Sequence, residues 1–155
     1  MKTKTIGLTF ILCLAAGALC LAADDPMIGT WKLNEAKSKI APGAPKNHTV
    51  VYAAGGDQIK ITVDGTDAQG KTIHSEWTGK FDGKDYPVTG DANADMRSYK
   101  KSGKNNLEMT NKKGGTVTVT GEVLVSEDGK SRTVTISFTD EKGAKVKSTA
   151  VYDKS

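Results

Sequence analysis

Two arginines, Arg97 and Arg132, are the side chains best suited to recognise an acidic ligand, because the other basic residues of this 155-residue chain are lysines and two histidines. A planar guanidinium matches the shape of a carboxylate. Arg97 and Tyr99 are two residues apart, so in a strand both lie on one face and converge on one point. On the inner face of a barrel, Arg97 would need Glu108, a tyrosine hydroxyl, water or a bound anion as its partner. On the outer face it would be an ordinary surface cation.

Arg132 is the competing candidate, because it shares strand phase with Val134, Ile136 and Phe138. It comes directly after the turn at Asp128-Gly129, where a charge reaches water more easily. We therefore predict that ligand binding depends on Arg97 with Tyr99. Two aromatic residues are further candidates for ligand contact, with core packing as the alternative, namely Trp77 and Tyr152.

Asp91, Asn93 and Asp95 form the pattern D-x-N-x-D, which opens a calcium-binding loop. The glycine that should follow is Met96, and the position of the final glutamate is Ser102. The stretch therefore favours a turn in which Asx side chains cap the backbone, and we predict no metal site.

Catalytic motifs are absent from the sequence. It contains no G-x-S-x-G, no H-E-x-x-H and no phosphate-binding glycine motif. Of its two histidines, His48 and His74, the second alternates out of phase with Ile73 and Ser75 and is expected on the solvent face beside Glu76. We predict no catalytic residue and no cofactor.

Short runs of alternating apolar and polar residues occupy the chain after Asn47 and predict strands with one buried and one exposed face. Turn signals separate these runs at intervals typical of sequential hairpins. The pattern predicts an all-β, antiparallel up-and-down meander closed into a barrel of about 8–10 strands. A two-sheet sandwich is the alternative. In one run, Val117–Val125, the alternate residues are expected to share one face.

The stretch Ile28–Asn34 places Trp31 in a short β-type run at the start of this pattern. We expect Trp31 to be buried and to close the barrel against the last strand, near Tyr152. Residues 34–46 lack strand character, and Asn34 is a candidate N-cap for a turn or two of helix before prolines end it.

Residues 1–23 have the layout of a secretory signal peptide, with Lys2 and Lys4 followed by the apolar run Ile6–Leu21 and small residues up to Ala23. The run is shorter than the roughly 20 residues that a transmembrane helix needs. We predict cleavage near Ala23, a secreted or periplasmic protein, one β-barrel domain over residues 24–155, and no transmembrane segment after cleavage.

Removal of the leader changes the chemistry of the chain. Both cysteines, Cys13 and Cys20, would be lost, so the mature fold would contain no disulfide. The formal net charge would fall from +4 to +2. This mild charge predicts no nucleic-acid partner.

Gly29-Thr30-Trp31-Lys32-Leu33 resembles the opening strand of the calycins, the superfamily of lipocalins and fatty-acid-binding proteins, whose barrels begin with G-x-W. The end of the chain, Thr149–Lys154, is similar to their last strand, which tends to read R-x-Y-x-K. The tyrosine and lysine match, but Ala150 stands where that family has an arginine for the ligand carboxylate. The resemblance implies a lipocalin-like barrel in which Gly29 and Trp31 are structural.

The chain is also similar to small secreted bacterial proteins that carry G-T-W-K-L-N and D-G-K-D-Y-P-V-T-G, here Asp82–Gly90. That similarity implies no function. Two hypotheses from different classes therefore stand: a barrel that binds a small hydrophobic or amphipathic ligand, and a filled barrel or sandwich that serves as an envelope or protein-interaction module. An enzyme is the least supported hypothesis. Whether the interior holds a ligand distinguishes the first two.

Overall fold

Ten antiparallel strands form a closed barrel in the computed structural model, which describes residues 25–140 and 142–155. The predicted signal peptide lies outside the described residues. Each strand pairs with its neighbours in sequence, and β1 pairs with β10 to close the ring, so the predicted all-β meander barrel is confirmed. The strands are β1 (Gly29–Leu33), β2 (Lys46–Gly55), β3 (Gln58–Thr66), β4 (Thr72–Gly79), β5 (Tyr86–Thr89), β6 (Met96–Lys101), β7 (Asn106–Lys113), β8 (Thr116–Val125), β9 (Ser131–Thr139) and β10 (Lys145–Lys154).

The segment between β1 and β2 contains one short 3-10 helix, Glu35–Lys37. As predicted, Asn34 caps it, and its side-chain oxygen accepts a hydrogen bond from the backbone N–H of Lys37 at 3.2 Å. Lys39 then pairs with Thr149 of β10, which holds the segment against the barrel. Within the described part of the chain, no helix is long and apolar enough to cross a membrane.

Trp31 lies where the first and last strands meet. Its neighbours in the register are Lys154 on β10 and Val50 on β2. The indole is fully buried, and its Nε1 donates a hydrogen bond to the carbonyl oxygen of Met27 at 3.0 Å. Met27 is also fully buried, so the residues that precede β1 belong to the core.

A β-bulge between β7 and β8 corrects the prediction that the alternate residues of Val117–Val125 share one face. Asn111 pairs with Val119, but the next residue, Lys112, pairs with Val117. The extra residue, Thr118, reverses the phase, because one added residue moves each following side chain to the other face. Val117 is consequently 51 % exposed.

Candidate functional site

Arg97 and Tyr99 both face the interior of the barrel, and both are buried. The Arg97 guanidinium has two partners within the protein: Nη2 pairs with the Asp91 carboxylate at 2.8 Å, and Nε donates to the Asn111 amide oxygen at 2.7 Å. The expected partner Glu108 is not involved, since it is exposed and lies opposite Lys100 in the register. Arg97 is therefore anchored by groups of the protein itself.

The loop of Asp91, Asn93 and Asp95 uses its carboxylates within the protein. Asp91 accepts a hydrogen bond from the backbone N–H of Asn93 at 2.9 Å as well as pairing with Arg97. Asp95 accepts one from the backbone N–H of Gly114 at 2.8 Å. These contacts are those of a capped turn. Across the ranges that the structure describes, no group of three or more His, Cys, Asp or Glu side chains is placed to hold a metal ion.

Trp77 is the centre of an aromatic cluster that fills one part of the interior. Its ring centroid lies 4.9 Å from that of Tyr99 and 5.8 Å from that of Tyr86, both edge-on, and 6.3 Å from the stacked ring of Phe81. Its Nε1 donates to the carbonyl oxygen of Arg97 at 2.9 Å. Edge-on and offset contacts of this kind stabilise a core beyond the area they bury. Trp77 and Tyr99 thus have extensive packing partners within the protein.

Arg132 lies in a cage of three aromatic rings, which we call the Arg132 cage. Its Cζ is 4.7 Å from the ring centroid of Tyr152, 4.8 Å from that of Tyr52 and 5.0 Å from that of Trp31. The residue is only 2 % exposed. Its Nε and Nη1 are buried without a hydrogen-bond partner among the described residues. Cation–π contacts with three rings compensate part of the cost of burying the charge.

The tyrosines of the cage do not supply a negative charge. Burial raises the pKa of Tyr152 to about 12, although the positive charge of Arg132 acts in the opposite direction. Burial raises the pKa of Tyr52 still further, and the neighbouring Tyr99 adds to this effect. Both hydroxyls are therefore protonated near neutral pH. The cage holds a cation against neutral groups only.

The inner face of β9 continues from Arg132 as a series of apolar side chains, Val134, Ile136 and Phe138, which we call the β9 track. All three are half-buried, in contrast to the fully buried core around Trp31 and Trp77. Phe138 has Val119 and Val146 as cross-strand neighbours, and these are half-buried too. From Arg132 to Phe138 the strand rises by roughly 20 Å. The inner face of β9 thus changes from a fully buried cation to apolar side chains that keep part of their surface exposed.

The sequence placed the right residue types inside the barrel but not their partners. Tyr152 was among the predicted ligand contacts, and it lies beside Arg132 rather than Arg97. Tyr52 was missed, although its strand phase with the buried Val50 was a usable signal. Asp91 was missed as the partner of Arg97 because it comes from a turn six residues away, where strand periodicity gives no information.

The closed barrel of ten antiparallel strands defines the class of fold, and it is compatible with a calycin-like architecture. No protein-family model and no curated protein matches the chain.

Proposed function

We propose that this protein is a lipocalin-like binding protein that holds a small, partly apolar molecule in its barrel. The observation that carries the proposal is the half-burial of inward-facing apolar side chains on β8, β9 and β10. Inner side chains of a filled barrel are excluded from water, as Trp31 and Trp77 are here. Apolar surface that stays accessible inside a concave wall is where a ligand gains affinity by burial.

The proposal includes export to the periplasm or to the exterior, and no catalytic step. Support for export comes from the apolar leader Ile6–Leu21 and the small residues that follow it. An exported protein whose N-terminal sequence does not begin near Asp24 would contradict this part of the proposal.

The second candidate function is a filled barrel that acts as an envelope or protein-interaction module. It is favoured by the packing of the aromatic cluster around Trp77 and by the complete burial of Met27 and Trp31 in the neighbouring core. The two functions differ in whether the half-buried end takes up a small molecule.

A neutral fluorescent probe tests the proposal. N-phenyl-1-naphthylamine should bind the wild-type protein with increased fluorescence, because its rings bury apolar surface without requiring a charge. Val119→Phe adds volume on the inner face beside Phe138 and should weaken binding at least about 10-fold, equivalent to ~1.4 kcal/mol.

The matched control is Val117→Phe, which makes the same substitution on the same strand. The bulge turns Val117 outward, where it is 51 % exposed, so this variant should bind the probe like the wild type. Absence of probe binding to the wild type, or equal binding by both variants, would reject the inner site and favour the filled barrel.

A further inference from the structure

Three lysines form a short row on the outer surface of the barrel, where β10 meets the segment that precedes β2. Lys145 and Lys147 are alternate residues of β10, so both point outward and their Cα atoms lie about 7 Å apart. Lys39 pairs with Thr149 in an isolated bridge, which places it diagonal to Lys147 at about 7–8 Å. All three lysines are exposed, and we call them the lysine row.

The charges of the lysine row are not neutralised by the described carboxylates. Other surface lysines are paired: Lys60 with Glu76 at 2.7 Å, and Lys112 with Asp85 at 2.6 Å. The ion pairs of residues 25–140 and 142–155 include no member of the row. The spacing within the row is below the Debye length of about 8 Å at physiological ionic strength, so the three charges act together on one partner.

Three carboxylates border this surface, and each is held by other groups. Asp153 pairs with Lys37 at 3.4 Å. Glu122 accepts a hydrogen bond from the Asn106 amide at 2.6 Å. Asp140 accepts two backbone N–H groups of its own turn, at 2.9 and 2.8 Å. The positive field of the lysine row is therefore directed to the solvent.

A row of hydroxyl groups on β9 lies beside the lysines. Each hydroxyl residue faces one residue of β10 in the register: Thr139 with Lys145, Ser137 with Lys147 and Thr135 with Thr149. Residues directly opposite each other in an antiparallel pair have their side chains on one face. Hydroxyl groups both donate and accept hydrogen bonds. The outer face of β9 and β10 thus presents cations beside neutral polar groups over a length of about 14 Å.

The composition of this face favours one class of anionic partner. The outward residues of β9 and β10 include no aromatic ring, so the face has no platform on which nucleobases stack. Their one apolar side chain, Val151, is half-buried and offers no anchor for a lipid surface. A lysine ammonium acts as a point charge and accepts acidic groups of different geometry. A linear polymer that carries both hydroxyl and acidic groups matches both rows.

We propose that the outer face of β9 and β10 binds an acidic polysaccharide. The acidic groups of the polymer pair with the lysine row, and its hydroxyl groups hydrogen-bond with those of Thr135, Ser137 and Thr139. The site lies on the outside of the barrel, so this inference does not depend on a ligand in the interior.

Two polymers that share a backbone and differ in charge test the inference. These are fluorescein-labelled dextran sulfate and uncharged dextran of the same length, with binding followed by fluorescence anisotropy. The wild-type protein should bind only dextran sulfate. The logarithm of its association constant should fall linearly with the logarithm of the salt concentration, with a slope of about −2, because each of three cations contributes roughly −0.7 on a flexible polyanion.

The triple variant Lys39→Gln, Lys145→Gln and Lys147→Gln should bind dextran sulfate at least about 10-fold more weakly, with a slope near zero. The matched control is the triple variant Lys71→Gln, Lys104→Gln and Lys130→Gln. It removes the same charge from three exposed lysines in separate connections between strands, and it should retain nearly the wild-type affinity.

Two outcomes of this comparison would overturn the inference. Equal weakening in both triple variants would show that the polymer responds to net charge and not to the lysine row. Absence of dextran sulfate binding by the wild-type protein would also reject the site. Binding of oligothymidylate or of phosphatidylglycerol vesicles in its place would then assign the row to a nucleic acid or to a membrane.

Nuclear magnetic resonance of the wild-type protein locates the site without a substitution. On addition of dextran sulfate, the largest shifts of backbone amide resonances should occur at Lys39, in residues 135–139 and in residues 145–149. Shifts centred on another face of the barrel would contradict the assignment to β9 and β10.

Discussion

Trp31 connects the closure of the barrel to the Arg132 cage. Its indole is fully buried, and its Nε1 donates a hydrogen bond to the carbonyl oxygen of Met27. Its ring centroid lies 5.0 Å from Arg132 Cζ and 5.0 Å from Lys154 Nζ. Trp31→Ala should lower the free energy of unfolding by about 3–5 kcal/mol, because it removes a large buried ring and leaves a cavity.

Chemical denaturation followed by circular dichroism measures this loss. Trp31→Phe is the control, since it keeps an aromatic ring over Arg132 and removes the hydrogen bond to Met27. It should cost only about 1–2 kcal/mol. A midpoint of Trp31→Ala that equals that of the wild type would contradict the role of Trp31 as the residue that closes the barrel.

At the residue scale the sequence singled out Arg97 and Arg132 as candidates for ligand binding, but it did not reveal their partners. Inward orientation follows from strand phase, and Arg97 and Arg132 both have it. What separates them is the set of acceptors nearby. Asp91 reaches Arg97 from a turn, and Asn111 reaches it from a neighbouring strand 14 residues away. Such contacts depend on the tertiary register, which a single sequence does not display.

The hairpin of β5 and β6 depends on Gly90, where the chain turns back beside β4. Gly90 has a φ of 73°, and a methyl group on it would overlap the carbonyl oxygen of His74 and lie 3.1 Å from the Cα of Ser75. Gly90→Ala should therefore lower the free energy of unfolding by about 2–5 kcal/mol, since it combines a left-handed conformation with a steric overlap.

Gly70→Ala separates these two costs. Gly70 has a similar φ of 80°, but a methyl group there would have no neighbouring atom within 4 Å. This variant should lose only the conformational part, about 1–2 kcal/mol. Equal denaturation midpoints for the two variants would show that the contact with β4 does not constrain the hairpin.

At the element scale, alternation and turn residues were sufficient to predict the meander, because both are local signals. The bulge in β8 was not predictable, since the run T-V-T-V-T alternates without interruption. The phase changes only because the partner strand β7 aligns Lys112 with Val117 and Asn111 with Val119. A register shift depends on how two strands align, so the sequence of one strand does not reveal it.

For the whole molecule, the sequence supported a closed barrel through the resemblance of its two ends, and β1 does pair with β10. It could not show that the interior has a fully packed part and a half-buried part. That difference arises from where the aromatic residues of separate strands meet. Trp31, Tyr52 and Tyr152 come from β1, β2 and β10, and they converge only after closure.

Ionisable groups on the outer surface make the stability of the whole barrel depend on pH. The free energy of unfolding passes through a maximum and falls at both lower and higher pH. Six carboxyl groups on the outer surface have pKa values lowered by hydrogen bonds that favour the charged form. The donors are Lys46 for Glu35, Lys80 for Asp57, Lys60 for Glu76, the Lys84 backbone N–H for Asp82, the Ser126 hydroxyl for Asp128 and the Asn34 amide for Asp153. Their stabilisation is present above about pH 4, the ordinary range for carboxyl groups, and is lost as the pH falls through their lowered pKa values.

His74 contributes with the opposite sign. Its Nδ1 donates to the Asp64 carboxylate at 2.6 Å, and its Nε2 lies 3.8 Å from Glu76. The hydrogen bond to Asp64 raises the pKa of His74, so its stabilisation is complete below about pH 6.5 and is lost as the pH rises through the raised pKa. We therefore expect the denaturation midpoint to be highest between about pH 5 and 6.5 and to fall on both sides.

His74→Asn should remove the decline on the alkaline side, whereas His48→Asn should keep it, because the described contacts of His48 are with the Thr66 hydroxyl at 3.4 Å and include no carboxylate. Urea denaturation between pH 3 and 9 measures all three profiles, and an alkaline decline that persists unchanged in His74→Asn would place its origin in another group.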